Sequence, residues 1–239
     1  MILSEEERFK HYDLNVFLGN PSNAADGERY PYHRMRLKEP MFDALCYAYG
    51  YKDYPSTAVA FNEPAETFRE QLANIKKRQT RHPKTVLDVG SGRGELTATL
   101  LYDGVECYAI DPSLGAKDIT PMTFSNWVGA GLEAFFVNKS FSAALDELED
   151  IQYDTIIFCE SVEHIREEEF TKAYEAAVNT LRETKGMLIV TNWVGFHPIN
   201  PDGGGWDHIR RIDDSVYDTL CSKAEKTAYR RGSHLVLRF

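Results

Sequence analysis

The stretch TVLDVGSGRGEL, residues 85–96, constrains the fold of this chain more than any other. Its aliphatic and β-branched start predicts a buried strand over Thr85–Val89, and glycines then occupy positions 90, 92 and 94. Glycines at such a turn allow a sharp change of direction and let a ligand approach the backbone closely. The following helix-forming residues therefore predict a strand–turn–helix unit that binds a ligand at the carboxyl end of the strand.

Downstream of this unit the sequence alternates between short apolar runs and amphipathic helical stretches. Near-continuous apolar runs such as TIIFC and MLIV favour a parallel sheet covered on both faces, and two final runs joined at Arg-Gly-Ser predict a hairpin. We therefore predict an α/β fold with a doubly wound, mostly parallel sheet that ends in an antiparallel hairpin. The predicted strands are Thr85–Val89, Glu106–Ile110, Ala134–Asn138, Asp154–Cys159, Gly186–Thr191, Lys226–Arg231 and His234–Phe239. The predicted helices of this part include Glu95–Tyr102, Glu167–Arg182 and Asp213–Ala224.

The first eighty residues differ in character from the rest of the chain. They hold seven of the thirteen tyrosines, and Met41–Tyr51 and Ala65–Thr80 are predicted to be helices. We therefore predict two parts: an N-terminal helical cap that covers the substrate, residues 1–80, and a sheet domain, residues 81–239.

The composition argues against binding of long nucleic acid. The chain of 239 residues has a formal net charge of −10, so its surface repels phosphate backbones unless a local basic patch is present. Two basic clusters exist, His33–Lys38 and Lys76–Lys84. We interpret both as solvated faces, because charge runs are common on the helices of water-soluble proteins.

The cysteines and the N-terminus favour a cytoplasmic location. The four cysteines, at positions 46, 107, 159 and 221, show no C-x-x-C pair and no regular spacing. The first ten residues, MILSEEERFK, have three consecutive glutamates after a short apolar start, which is not the pattern of a signal peptide. No apolar run is long enough to span a bilayer, so we expect no membrane partner.

An acid follows the second predicted strand and narrows the choice of ligand. Asp111, twenty-one residues after Gly90, can accept hydrogen bonds from both hydroxyls of a ribose. A dinucleotide fingerprint would have Gly or Ala at position 95, where this chain has Glu95, and the pyrophosphate would then meet a carboxylate. The GxGxG spacing after Asp88 better suits a ligand with an ammonium group and no phosphate.

With these motifs, residues 85–239 resemble the class I S-adenosylmethionine-dependent methyltransferases. The resemblance implies a Rossmann-like fold with a seven-stranded sheet, and S-adenosylmethionine as the cofactor. It assigns Asp111 to the ribose of the cofactor. The methionine and sugar end is assigned to Asp88, Gly90, Gly92 and Gly94.

The adenine side of the cofactor departs from the usual pattern of that family. Family members often have an acidic residue after the third strand, near the adenine amine. Here FFVNKSF offers Asn138, Lys139 and Ser140 instead. Among these, Ser140 is our candidate for a cofactor-binding residue.

A second motif, FCESVEHI, follows the fourth predicted strand. If a helical turn begins near Glu160, that residue shares one face with Glu163 and His164. Two carboxylates and an imidazole beside a cofactor pocket can form a divalent metal site. The loop after the fifth strand offers His197 and His208 as a further ligand.

The E-x-x-E-H run with a later histidine resembles two groups within the methyltransferase superfamily. One is the small-RNA 3′-terminal 2′-O-methyltransferases, where such residues hold a divalent metal against the terminal ribose diol. The other is the ubiquinone-pathway O-methyltransferases, which act on catechol-like rings. The resemblance favours His208, which precedes a helix, and implies a site for Mg, Mn, Fe or Zn. Its ligands would be Glu160, Glu163, His164 and His208, with His164 and His208 also catalytic.

The motif has a second interpretation that the sequence leaves open. Glu160 would then contact the cofactor, while Glu163 and His164 would cap and pack the next helix. The two interpretations imply different classes of acceptor. An alcohol or phenol has to lose a proton, and a metal and a histidine can assist that loss. A carboxylate acceptor would need neither.

The acceptor pocket and the function follow as expectations. Aromatic residues of the cap and of the loop after the fifth strand could line the pocket or simply pack; they are Tyr30, Tyr32, His33, Trp193 and Trp206. We expect O-methylation of a small-molecule acceptor, with or without a divalent metal. One alternative is 2′-O-methylation of an RNA 3′ end, with Arg34, Arg36 and Lys76–Arg78 contacting phosphates. The other is a catalytically inactive, cofactor-binding partner subunit. The oligomeric state stays open.

Overall fold

The computed structural model describes residues 39–50, 75–77, 79–129, 131–192, 199, 208–232 and 234–239. The helices in these residues are α1 (Glu39–Ala48), α2 (Glu95–Tyr102), α3 (Leu114–Trp127), α4 (Phe141–Glu147), α5 (Glu167–Glu183) and α6 (Asp214–Lys223). The strands are β1 (Thr85–Val89), β2 (Glu106–Ile110), β3 (Phe136–Val137), β4 (Thr155–Cys159), β5 (Met187–Thr191), β6 (Lys226–Arg231) and β7 (His234–Arg238). Two short 3₁₀ turns span Glu133–Phe135 and Val162–His164.

The strands form one seven-stranded sheet in the order β3-β2-β1-β4-β5-β7-β6. Strands β1 to β5 run parallel, and β7 is antiparallel to both β5 and β6. This arrangement confirms the predicted Rossmann-like, doubly wound and mostly parallel sheet with a closing hairpin. The strand order reverses between β1 and β4, and ligands of such sheets bind at the carboxyl ends of the strands at that point.

The central strands β1, β4 and β5 are buried and mostly apolar because both faces of the sheet are covered there, whereas the edge strand β6 is polar and largely exposed. Ile156 and Phe158 of β4 pack in one core with helices α4, α5 and α6, whereas Ile157 between them packs in the other with α1 and α2. All three side chains are fully buried, and burial of each stabilises the fold by roughly 1.5–3 kcal/mol. Alternate residues of one strand thus pack into two different cores, which explains why runs such as TIIFC are almost entirely apolar.

The third strand is shorter than the sequence pattern predicts. We expected a strand over Ala134–Asn138, but Glu133–Phe135 form a 3₁₀ turn and only Phe136 and Val137 pair, with Ala109 and Ile110 of β2. The 3₁₀ turn occupies the expected start of β3, and the pairing ends at Ile110, the last residue of β2.

Helix α1 confirms the first predicted helix of the cap, with its ends shifted from Met41–Tyr51 to Glu39–Ala48. Gly50 follows with φ 70°, a left-handed conformation that ends helices. The hydroxyl of Thr191, at the end of β5, donates to the carbonyl of Pro40 at 2.9 Å. The start of α1 is thereby tied to the carboxyl edge of the sheet. Most of the second predicted helix, Ala65–Thr80, lies outside the described residues.

Helix α3 forms although it contains Pro121, which lacks a backbone donor and disfavours a helix interior. Ser113 caps its start by accepting from the backbone N–H of Ala116 at 3.2 Å. No helix in the described part of the chain is long and apolar enough to cross a membrane.

Candidate functional site

The glycine turn after β1 has three left-handed residues, with φ 74° at Gly90, 55° at Gly92 and 75° at Gly94. A Cβ atom at Gly90 would lie 2.3 Å from Cβ of Ser161, and one at Gly94 would lie 2.6 Å from Cγ2 of Thr120. At Gly92 a Cβ atom would meet nothing within 4 Å. Two of the glycines are therefore required by packing within the protein, whereas the space beside Gly92 is open.

The peptide groups of Gly92 are held on both sides. Its N–H donates to Oδ2 of Asp111 at 2.8 Å, and its carbonyl accepts from the hydroxyl of Thr120, on α3, at 2.9 Å. Oδ1 of Asp111 accepts from the N–H of Ser113 at 2.9 Å. Sequence reasoning missed this contribution of Asp111 to the shape of the turn, since nothing in the local pattern indicates it.

The Asp111 carboxylate also keeps the capacity that its predicted role requires. Each of its oxygens accepts one backbone N–H, and a carboxylate oxygen can accept two hydrogen bonds. Burial raises its pKa, and the bonds from Ser113 and Gly92 oppose that rise by favouring the charged form. The assignment of Asp111 to a ribose stays a prediction.

Asp88 lies beneath the turn and is enclosed by protein. Its side chain is buried, and its Oδ2 accepts from the hydroxyl of Thr97, on α2, at 2.7 Å. Burial raises the pKa of Asp88 to about 7, and the nearby Asp111 adds to the rise. This carboxyl group therefore changes its charge near neutral pH, directly below the turn.

We expect Asp88→Asn to remove a pH-dependent loss of stability. The pKa of Asp88 is raised in the folded chain from 3.8 to about 7. Between about pH 4 and about pH 7 the unfolded chain therefore releases this proton while the folded chain keeps it. Stability falls as the pH rises through that window and levels off above it. Because asparagine does not ionise, the unfolding temperature of the variant should fall less across the window than that of the wild type.

The matched control for this prediction is Asp118→Asn, which changes an exposed carboxylate on α3. Thermal unfolding of the three proteins over the same pH series gives the comparison. Parallel curves for the wild type and Asp88→Asn would show that the buried carboxyl group does not titrate in this window.

Asn138 links the end of β3 to the loop after β2. Its Nδ2 donates to the carbonyls of Asp111 at 2.7 Å and Ser113 at 3.0 Å. Both amide hydrogens are thus used, and the amide oxygen keeps its ability to accept. Ser140 precedes α4, with its hydroxyl 3.4 Å from that of Ser142. Its predicted cofactor contact stays a prediction.

The second motif brings together Glu163, His164 and His208. One ligand atom from each lies within 4.8 Å of the others. The rings of His164 and His208 meet edge to face, with centroids 4.9 Å apart. His208 comes forty-four residues after His164 in the sequence, so the fold itself has joined these two predicted residues.

Glu160 does not share the helical face that we expected. Its φ is 51°, its N–H donates to the carbonyl of Thr191 at 2.8 Å, and the 3₁₀ turn begins only at Val162. The expectation of a helical turn from Glu160 is therefore wrong. Glu160 is not in the three-residue cluster found among the described residues. A left-handed conformation at a non-glycine residue is strained, and such strain often occurs at functional sites.

Glu163 is a buried acid whose carboxyl group is incompletely hydrogen-bonded within the described residues. Its residue is only 5% exposed, and Oε2 has no hydrogen-bond partner in the described part of the chain. Burial raises the pKa of Glu163 to about 7; the nearby Glu160 also raises it, while Arg210 lowers it. An orphaned buried carboxylate oxygen beside two imidazoles fits a divalent cation, because it supplies the charge and the ligand atom that such an ion needs.

Several predicted residues cannot be compared with the structure. The following lie outside the described residues: Tyr30, Tyr32, His33, Arg34, Arg36, Arg78, Trp193, His197 and Trp206. In the second basic cluster, Lys76 forms an ion pair with Asp103, whose side chain is buried. That pairing reduces the charge that Lys76 could offer to a phosphate.

A family model that describes a methyltransferase domain matches residues 61–210, which is more than half of the 239 residues. The chain belongs to the methyltransferase-domain family. This match and the fold confirm the recognition of a class I S-adenosylmethionine-dependent methyltransferase. The finer resemblance of the E-x-x-E-H motif stays a prediction. No protein of curated function matches the chain at a significant level.

Three solved methyltransferases are similar to this methyltransferase. An O-methyltransferase family protein from Burkholderia thailandensis is 13% identical with a TM-score of 0.50, and the match covers 93% of this chain and 62% of that protein. A SAM-dependent methyltransferase from Archaeoglobus fulgidus is 13% identical with a TM-score of 0.45, over 76% and 99% of the two chains. The glycopeptide N-methyltransferase MtfA, solved with S-adenosylmethionine, is 14% identical with a TM-score of 0.45, over 70% and 91%. At 13% identity the likeness to the Burkholderia protein concerns the fold alone.

Proposed function

We propose that this methyltransferase transfers a methyl group from S-adenosylmethionine to an oxygen atom of a small-molecule acceptor, with a divalent metal at Glu163, His164 and His208. The observation that carries the proposal is the contact between the two motifs. Ser161, two residues before Glu163, donates its hydroxyl to the carbonyl of Val89 at 2.6 Å and packs against Gly90. The cluster of possible metal ligands thus adjoins the turn that leaves space for the cofactor.

The residues of the chain divide the work of this reaction. The turn at Gly92, held by Asp111 and Thr120, gives the cofactor a fixed surface on which to lie. S-adenosylmethionine supplies the methyl group: the C–S bond breaks as the O–CH₃ bond forms, and sulfur keeps the electron pair. The protein has to align the two partners and exclude water.

The acceptor hydroxyl also has to lose its proton. When no ion is bound, His164 or His208 can take that proton on a ring nitrogen, because an imidazole titrates near neutral pH. An imidazole that holds an ion through one nitrogen carries its proton on the other, so with the ion bound the proton has to pass to water. A divalent cation, when bound, lowers the pKa of a hydroxyl that it coordinates. The orphaned oxygen of Glu163 and the two imidazoles supply the ligands that would hold such an ion.

The charge of the chain favours a small acceptor over an RNA end. The formal net charge is −10, and Lys76 is paired with Asp103. Phosphate contacts need unpaired cations, and association with RNA would weaken steeply as salt rises. We therefore propose an alcohol or phenol as the acceptor.

The proposal is tested first by cofactor binding and then by transfer. Calorimetry should detect binding of S-adenosylhomocysteine and no binding of NAD. Purified enzyme with methyl-labelled S-adenosylmethionine is then offered catechols, aliphatic diols, amines and short RNA 3′ ends, and mass spectrometry locates the label. We expect an O-methylated small molecule. Binding of NAD, or label only on nitrogen or RNA, would contradict the proposal.

A further inference from the structure

We infer that Arg210 is a positioning residue that holds the two halves of the metal-ligand cluster together. The inference rests on the proposed metal-assisted function. One half of the cluster is the 3₁₀ turn Val162–His164 after β4, and the other is His208, which lies before α6. The segment that joins the halves is Ile209–Arg210.

Three hydrogen bonds run from this segment to the turn. The backbone N–H groups of Ile209 and Arg210 donate to the carbonyl of Glu163 at 3.0 and 3.4 Å. Nε of Arg210 donates to the carbonyl of Val162 at 3.1 Å. Because all three donors lie within two residues of His208, they determine how closely its ring approaches His164 and Glu163.

The side chain of Arg210 makes the third bond while its guanidinium lies over an aromatic ring. Its guanidinium carbon lies 4.9 Å from the centroid of the Phe170 ring, a residue of α5 that is buried in the core. Stacking on an aromatic face while donating in the plane of the guanidinium is a combination that lysine cannot reproduce. The rigid helix α5 thus orients Arg210, and Arg210 orients the turn.

Burial of the charged guanidinium of Arg210 costs free energy, because the group loses contact with water. Nη2 of Arg210 is buried and has no hydrogen-bond partner in the described residues. A leucine or methionine would fill the same space over Phe170 without this cost, so packing alone does not explain a guanidinium here.

The test is cobalt binding to chelator-treated, full-length protein, because Co²⁺ bound by histidine and carboxylate absorbs visible light. We expect the wild type to bind Co²⁺ with a visible spectrum. Arg210→Met should weaken Co²⁺ binding about tenfold or more, in line with other residues that orient metal ligands. Arg210→Lys should not restore it. The binding of S-adenosylhomocysteine should stay within about twofold in both variants.

The matched control is Arg211→Met, which removes the neighbouring, exposed arginine and should bind Co²⁺ like the wild type. Wild-type Co²⁺ affinity in Arg210→Met would overturn the positioning role and leave the metal proposal intact. A wild type that does not bind Co²⁺ would overturn both. Equal losses of Co²⁺ and S-adenosylhomocysteine affinity would reduce Arg210 to a structural residue. If Arg210→Met does not fold, Arg210→Lys and Arg210→Gln decide the question by the same measurements.

Discussion

Gly92→Ala is expected to weaken binding of S-adenosylmethionine about tenfold to a hundredfold while the protein stays folded. The new methyl group would meet no protein atom within 4 Å, so it would project into the space that we assign to the cofactor. Overpacking of this kind typically costs about 1–3 kcal/mol. With φ 55° at this position, alanine also strains the free protein by about 1–2 kcal/mol, which a folded domain can tolerate.

The control for this result is the same substitution two residues earlier. At Gly90 the added Cβ would lie 2.3 Å from Cβ of Ser161, so Gly90→Ala should lower the unfolding temperature well beyond Gly92→Ala. Calorimetric titration with S-adenosylhomocysteine and thermal unfolding separate the two effects. Wild-type affinity in Gly92→Ala would mean that the cofactor does not approach the backbone there.

The central strands could be predicted from the sequence because both of their faces are covered. Residues 155–159, TIIFC, alternate between two cores, so every position has to be small or apolar and the run is easily recognised. The doubly wound order then follows from the alternation of strands with helices. The glycine turn was also predictable, since its left-handed residues can hardly be anything but glycine.

Other features depend on contacts that no local pattern encodes. The start of β3 is replaced by a 3₁₀ turn, and α3 forms despite Pro121. Asp111 was predicted as a ribose ligand, yet it also holds the peptide N–H of Gly92. The left-handed backbone of Glu160 breaks the helical spacing on which its predicted place in the cluster rested. Each of these depends on tertiary contacts, which override spacing along the chain.

The candidate metal cluster was predictable from the sequence only in part. Glu163 and His164 are neighbours in sequence, and the spacing indicated a site, but the choice of His208 over His197 came from a resemblance rather than from physics. Within the fold, His208 reaches His164 because the following two residues bond to the carbonyls of the 3₁₀ turn. Residue types do not show which N–H group will bond to which backbone carbonyl. The approach of His208 to the 3₁₀ turn could therefore not be predicted from the sequence.

Glu163→Gln is expected to abolish metal binding and to lower turnover by at least about a thousandfold, with cofactor affinity unchanged. Glutamine has the shape of glutamate without its charge, so the only carboxylate of the three-residue cluster is lost. Removal of one ligand weakens a divalent site severely because the remaining imidazoles carry no negative charge. Elemental analysis, turnover and titration with S-adenosylhomocysteine give the three measurements.

The control is Glu149→Gln, which neutralises an exposed carboxylate beyond α4 and should leave all three quantities unchanged. Treatment of the wild type with a chelator should reproduce the loss of turnover, and added Mn²⁺ should restore it. Turnover of Glu163→Gln should not recover with added Mn²⁺, because the variant lacks one of the metal ligands, whereas the chelator-treated wild type lacks only the ion. Full turnover of the wild type in chelator would instead favour the interpretation in which Glu163 and His164 pack the following helix, and the acceptor would then need no metal to lose its proton.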